Sequence, residues 1–136
     1  PSSQLPAPSS QLPAPSSQRV LLVEDDIASQ LLEGKVLASL GLEADLARNG
    51  AEALEFLSRK NYALVIMDCV MPVMGGIEAT KLVKAAVPNA KVIVVSALGE
   101  SRFIKEAVAA GAHDFIIKPF TEDRLISSVK SALKMT

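Results

Sequence analysis

Five apolar residues in a row, Ala63-Leu64-Val65-Ile66-Met67, stop at a carboxylate, Asp68, and Met71-Pro72 follows soon after. The run is too short and too continuously apolar for an amphipathic helix. It reads as a strand buried on both faces, the kind found in parallel sheets. Pro72 then enforces an irregular loop. In open α/β sheets, ligands bind beyond the carboxyl ends of the strands, so Asp68 stands where chemistry takes place. Three other segments end in the same manner. Arg19-Val20-Leu21-Leu22-Val23 runs into Glu24, Asp25 and Asp26; Lys91-Val92-Ile93-Val94-Val95 runs into Ser96; Phe115-Ile116-Ile117 runs into Lys118-Pro119. Parallel pairing with right-handed crossovers brings like ends together, so these acids, the hydroxyl and the ammonium should converge on Asp68. An Asp that merely opens a turn accounts for one such end, not for four.

Helical segments alternate with the strands. Residues 27–40 carry Ile27, Leu31, Leu32, Val36, Leu37 and Leu40 at helical spacing, which predicts a buried face, and Gly41 is a suitable stop. Gly34 within that helix costs about 1 kcal/mol relative to Ala. Residues 43–47 read as a short, weaker second strand, and Asn49-Gly50 turns the chain into a helix over 51–59. Further helices are expected over 77–86, 100–110 and 122–134, the last with Thr121 as its N-cap. Five strand–helix units of this length predict one three-layer α/β domain over residues 19–136.

The 136 residues carry a net charge of −1, which suits a single soluble domain and offers no basic footprint for nucleic acid. No apolar run approaches the roughly 20 residues of a membrane span, and no signal peptide opens the chain. A single cysteine, Cys69, has no partner for an internal disulfide, in keeping with a cytoplasmic location; it reads as a small buried residue beside Asp68. Without a Cys/His cluster, structural zinc is not expected. Residues 1–18 stand apart: Pro1-Ser2-Ser3-Gln4-Leu5-Pro6-Ala7 recurs at 8–14 and begins again at Pro15. Two prolines per repeat exclude a heptad helix, so this segment reads as an extended or disordered Pro/Ser-rich linker, or an added remnant, outside the fold.

Brought together, Glu24, Asp25 and Asp68 would repel one another unless a cation lay between them. Hard oxygen ligands suit Mg²⁺, which takes one or two carboxylates directly and fills its remaining positions with water and phosphate oxygens. Lys118 supplies a fixed positive charge, Ser96 a hydroxyl donor, and Asp68 an in-line nucleophile. Phosphoryl transfer depends on positioning and charge neutralisation, and this set provides both. The competing reading is a buried ion-pair network without turnover.

Leu22-Val23-Glu24-Asp25-Asp26, the stretch from Met67-Asp68-Cys69 to Met74-Gly75-Gly76, Val95-Ser96-Ala97 and Lys118-Pro119-Phe120 resemble the signatures of response-regulator receiver domains. The likeness is to chemotaxis-type regulators and, through Glu78-Ala79-Thr80, to receivers attached to hybrid histidine kinases. It implies a flavodoxin-like (βα)5 sandwich with a parallel sheet of order 2-1-3-4-5. It further implies that Asp68 accepts phosphate from a histidine kinase or a histidine phosphotransfer domain. Asp25 would ligate Mg²⁺ directly and Glu24 through water, with Asp68 and the Val70 carbonyl completing the protein ligands. Lys118 and Ser96 would bind the phosphoryl oxygens. The family's switch would pair Ser96 with Phe115, which turns into the space the hydroxyl leaves; Phe115 as ordinary core is the open alternative. Output through about Glu100 to Lys134 and kinase docking near the first helix are also implied. Gly75 stands where receivers usually carry Asp or Asn. Val70 and Leu98 stand where many have polar residues, so neither orients an attacking water and slow self-dephosphorylation is expected. His113 is expected at the surface.

The leading function is therefore a phosphoacceptor switch of a two-component or phosphorelay system, which catalyses only its own phosphorylation and dephosphorylation. The alternative is a phosphorylation-independent interaction module, against which the set Glu24, Asp25, Asp68, Ser96 and Lys118 argues. A phosphatase with an aspartyl nucleophile would want an acid where Val70 stands. A flavin domain would want a Ser/Thr/Gly-rich loop where Glu24-Asp25-Asp26 stands.

Overall fold

Strands rich in Val, Ile and Leu pair in parallel, and their residues alternate between two apolar layers. A computed structural model describes residues 19–68, 76–97 and 101–135. The chain runs β1 (Arg19–Val23), α1 (Ile27–Ser39), β2 (Glu43–Ala47), α2 (Gly50–Arg59), β3 (Leu64–Asp68), α3 (Gly76–Ala86), β4 (Val92–Ser96), α4 (Ser101–Ala109), β5 (Asp114–Ile117) and α5 (Glu122–Leu133). The five strands form one parallel sheet of order β2-β1-β3-β4-β5. This is the flavodoxin-like order that the family resemblance implied.

Period-two alternation sorts the strand residues between the layers. Val20, Leu22, Leu64, Ile66, Ile93, Val95 and Ile116 pack with Val36 and Leu37 of α1 and with Leu125, Val129 and Ala132 of α5. Leu21, Val23, Val65, Met67, Val92, Val94 and Phe115 pack on the other face with Ala53 of α2, Ala79 and Val83 of α3, and Ala107 of α4. The central strands β3 and β4 are buried at every position, whereas the edge strand β2 is largely exposed. Among the described residues no helix is long and apolar enough to cross a membrane.

Three helices begin at side-chain caps. Asp26 Oδ2 accepts from the Ser29 amide at 2.9 Å, Asn49 Oδ1 from the Glu52 amide at 2.9 Å, and the Thr121 hydroxyl from the Arg124 amide at 3.1 Å. Helix α1 departs from its predicted apolar face. Ile27 and Leu31 are each 70% exposed, while Val36, Leu37 and the acid Glu33 are buried. The helix is rotated so that its packed face runs through Ser29, Glu33 and Leu37, and the two aliphatics fall on the opposite side. The predicted linker 1–18, together with Cys69, Val70, Gly75, Leu98 and Glu100, lies outside the described residues.

Candidate functional site

The carboxyl ends of β1, β3, β4 and the loop after β5 meet at one edge of the sheet. The Glu24 amide donates to Ala47 O at 3.0 Å, so the ladder between β1 and β2 holds Glu24 directly after the strand. Asp68 is the last residue of β3 and lies opposite Val95; Ser96 closes β4 opposite Ile117. The Lys118 amide donates to Ser96 O at 2.7 Å, which locks the start of the β5–α5 connection to the end of β4. Carboxylate oxygens of Glu24, Asp25 and Asp68 all lie within 4.8 Å of one another, with Glu24 and Asp68 buried and Asp25 exposed. Above them, Lys118 Nζ donates to Glu24 Oε1 at 3.2 Å and to Ser29 Oγ at 3.3 Å.

The electrostatics follow from this crowding. Burial pushes the Glu24 carboxyl up to about 7, aided by its hydrogen bond with Asp68 and by the Asp68 charge; Lys118 and the Asp26 amide pull the other way. Burial works against the charge on Lys118, but Asp68 and Glu24 outweigh it and raise the ammonium above its ordinary value. Among the described residues, the Lys118 ammonium thus stands against a cluster of three acids. A set of hard oxygen donors with an excess of negative charge fits a small divalent cation, and the exposed Asp25 lies on the side open to solvent.

The structure brings Glu24, Asp25, Asp68 and Lys118 into one cluster and sets the wholly buried Ser96 at the adjoining strand end. Phe115 is 9% exposed and points into the layer shared with α2, α3 and α4. His113 is exposed, with Nε2 3.2 Å from Ser131 Oγ. The Val70 carbonyl, expected among the metal ligands, lies outside the described residues.

Four residues of the neighbourhood went unread in the sequence as part of the site. Asp26, the third acid after β1 and no member of the expected ligand set, is the N-cap of α1. Ser29 holds Lys118, and Gln30 Nε2 donates to the Glu24 carbonyl at 2.8 Å. Glu33 is wholly buried, and among the described residues neither of its carboxyl oxygens has a hydrogen-bond partner. Burial first, and then the charge of Glu24, push its carboxyl up to about 8. The Asp before a helical run was a legible cap signal. The other three depend on how α1 docks. Beside Lys118, an open cavity of about 430 Å³ separates Ala28, Ser29 and Leu32 of α1 from Pro119 and Phe120.

The family model for the response regulator receiver domain matches residues 20–130. The chemotaxis protein CheY of Thermotoga maritima is 39% identical over 118 residues, which cover 86% of this chain and 98% of that protein. Sporulation initiation phosphotransferase F of Bacillus subtilis is 32% identical over 118 residues, covering 87% and 95% respectively. Among solved structures, the response regulator TrrA of Thermotoga maritima, in complex with Mg²⁺ and beryllium fluoride, superposes with a TM-score of 0.77. It shares 33% identity and covers 85% of this chain and 98% of that one. With this strand order, this cluster of acids and these matches, the chain belongs to the receiver domain family of two-component response regulators.

Proposed function

We propose that this chain is a phosphoacceptor switch in which Asp68 takes a phosphoryl group from a phosphohistidine of a kinase or phosphotransfer domain. The observation that carries this reading is the convergence of three carboxylates within 4.8 Å, with an ammonium seated on one of them. An Asp68 carboxylate oxygen attacks phosphorus, the P–N bond breaks, and the imidazole leaves with its electron pair. Glu24, Asp25 and Asp68 would hold Mg²⁺, with the Val70 carbonyl as the further ligand expected from the family. The bound ion would neutralise charge on the phosphoryl oxygens and the acids. Lys118 and the Ser96 hydroxyl bind phosphoryl oxygens, and Phe115 follows Ser96 when the hydroxyl moves. The related TrrA, solved in complex with Mg²⁺ and beryllium fluoride, supports the metal assignment.

The donor docks beside α1, where Ile27 and Leu31 are exposed apolar residues. Output is transmitted through α4, β5 and α5, where Val108 and Ile117 are exposed apolar residues. Intact mass after incubation with acetyl phosphate and Mg²⁺ tests the chemistry. The expected result is one phosphoryl adduct, absent with a chelator and absent in Asp68→Asn. A folded protein that gains no adduct from acetyl phosphate or from a phosphohistidine donor would overturn the reading in favour of a phosphorylation-independent interaction module.

A further inference from the structure

A lysine ammonium carries three N–H donors on a flexible four-carbon stem, so its charge does not by itself define a direction. In this protein two of the three are directed. One goes to Glu24 Oε1 at 3.2 Å and the other to Ser29 Oγ at 3.3 Å. Ser29 is itself held, because its amide donates to Asp26 Oδ2 at 2.9 Å in the first turn of α1. The hydroxyl therefore sits on a fixed point of the helix. The cavity beside it is otherwise lined by Ala28, Leu32, Ala97, Pro119 and Phe120, so Ser29 is the one hydroxyl among the described lining residues that can meet the ammonium there.

We propose that Ser29 is a positioning residue for phosphoryl acceptance, anchoring the Lys118 ammonium on the α1 side of the acid cluster. With one N–H on Ser29 and one on Glu24, the third is left to a phosphoryl oxygen arriving at Asp68. Without the hydroxyl, the α1 side of the cavity offers only carbon. The ammonium then settles towards the carboxylates and into the space the phosphoryl group must enter. The inference rests on Asp68 being the phosphoacceptor, and it adds a residue from α1 to the set that organises the reaction. It also ties the acid loop, through the cap at Asp26, to the lysine it faces across the site.

The test compares wild type, Ser29→Ala and Ser29→Thr by two readouts. The first is the rate of phosphoryl uptake from acetyl phosphate at saturating Mg²⁺. The second is the ¹⁵Nζ resonance of Lys118 in the protein without phosphodonor, assigned with Lys118→Arg. The loss of one long hydrogen bond of ordinary strength predicts an uptake rate about three- to ten-fold lower in Ser29→Ala. A displaced Lys118 resonance and a wild-type urea midpoint should accompany it. Ser29→Thr, which keeps the hydroxyl, should restore both rate and resonance. A Ser29→Ala protein with wild-type rate and resonance overturns the proposal, as does a folded Ser29→Thr that behaves like the alanine variant. If wild type itself takes up no phosphoryl group, the phosphoacceptor reading fails. The Lys118 resonance then decides separately whether Ser29 anchors the ammonium.

Discussion

Replacing Glu33 by Gln should stabilise the protein at pH 7 while having little effect through ionisation at pH 4.5. Glu33 is wholly buried in α1, its oxygens have no hydrogen-bond partner among the described residues, and its carboxyl is pushed up to about 8. Burial is the largest cause. Glu24, Asp68 and Asp26 reinforce it from the β1 and β3 ends, and Lys118 opposes it from the β5–α5 connection. A carboxyl whose folded value lies above its unfolded value binds its proton more tightly in the native state. Its contribution to stability is therefore fully present below 4.5 and is lost as pH rises towards 8. From 4.5 to 7, at about 1.4 kcal/mol per pH unit, the native state loses about 3 kcal/mol.

Gln keeps the shape and the polar demand but does not titrate. Any fixed penalty of burying its amide shifts the whole curve without changing the slope. Urea unfolding of both proteins at pH 4.5, 6, 7 and 8.5 gives the difference directly. The stability of Glu33→Gln relative to wild type should climb by about 3 kcal/mol between pH 4.5 and 7 and level off above 8. A difference that stays constant over this range would refute the argument, because Glu33 would then titrate in the folded protein as it does in the unfolded chain.

Gly34 is in the interior of α1, and a Cβ built there meets nothing within 4 Å; Gly34→Ala should raise stability by about 1 kcal/mol in the same urea assay. Asn49→Ala removes the cap on the Glu52 amide and should lower stability by about 1 kcal/mol, with Asn49→Ser recovering most of the loss. In thermal unfolding, Mg²⁺ at a hundredfold excess over its dissociation constant should add about 2.7 kcal/mol. Asp25→Ala should abolish that gain, and an undiminished shift would remove Asp25 from the ligand set.

The sheet was legible because its strands are short, continuous apolar runs that end in polar groups, and that pattern survives into β1, β3, β4 and β5 nearly residue for residue. Even the weakness of residues 43–47 was readable, since an edge strand needs only one covered side. The four strand ends also put Glu24, Asp25, Asp68, Ser96 and Lys118 at one edge of the sheet, because parallel topology brings like ends together, and the order β1-β3-β4-β5 makes them neighbours. Helix α1 was harder to read. Its apolar residues fall on both sides of the helix, and the fold buries Val36 and Leu37 but leaves Ile27 and Leu31 exposed. A pattern that scores apolar residues as buried has no means of placing Glu33 inside.

The rotation of α1 has a reason within the site. Ser29, Glu33 and Leu37 are spaced by four residues and share one face of the helix, while Ile27 and Leu31 share the other. A rotation that buried Ile27 and Leu31 would carry Ser29 away from Lys118 and lift Leu37 out of the layer it shares with α5. The helix cannot satisfy both faces, and the contacts that fix it are Leu37 at one end and the Asp26 cap and the Ser29–Lys118 bond at the other. Glu33 lies between these anchors and is drawn inside by them. On this account its burial is a consequence of seating Ser29 against Lys118. Glu33→Gln should therefore change the pH dependence of stability yet leave the Lys118 resonance at pH 6 where it is in wild type. A displaced resonance in that variant would mean that Glu33 itself helps to hold the ammonium.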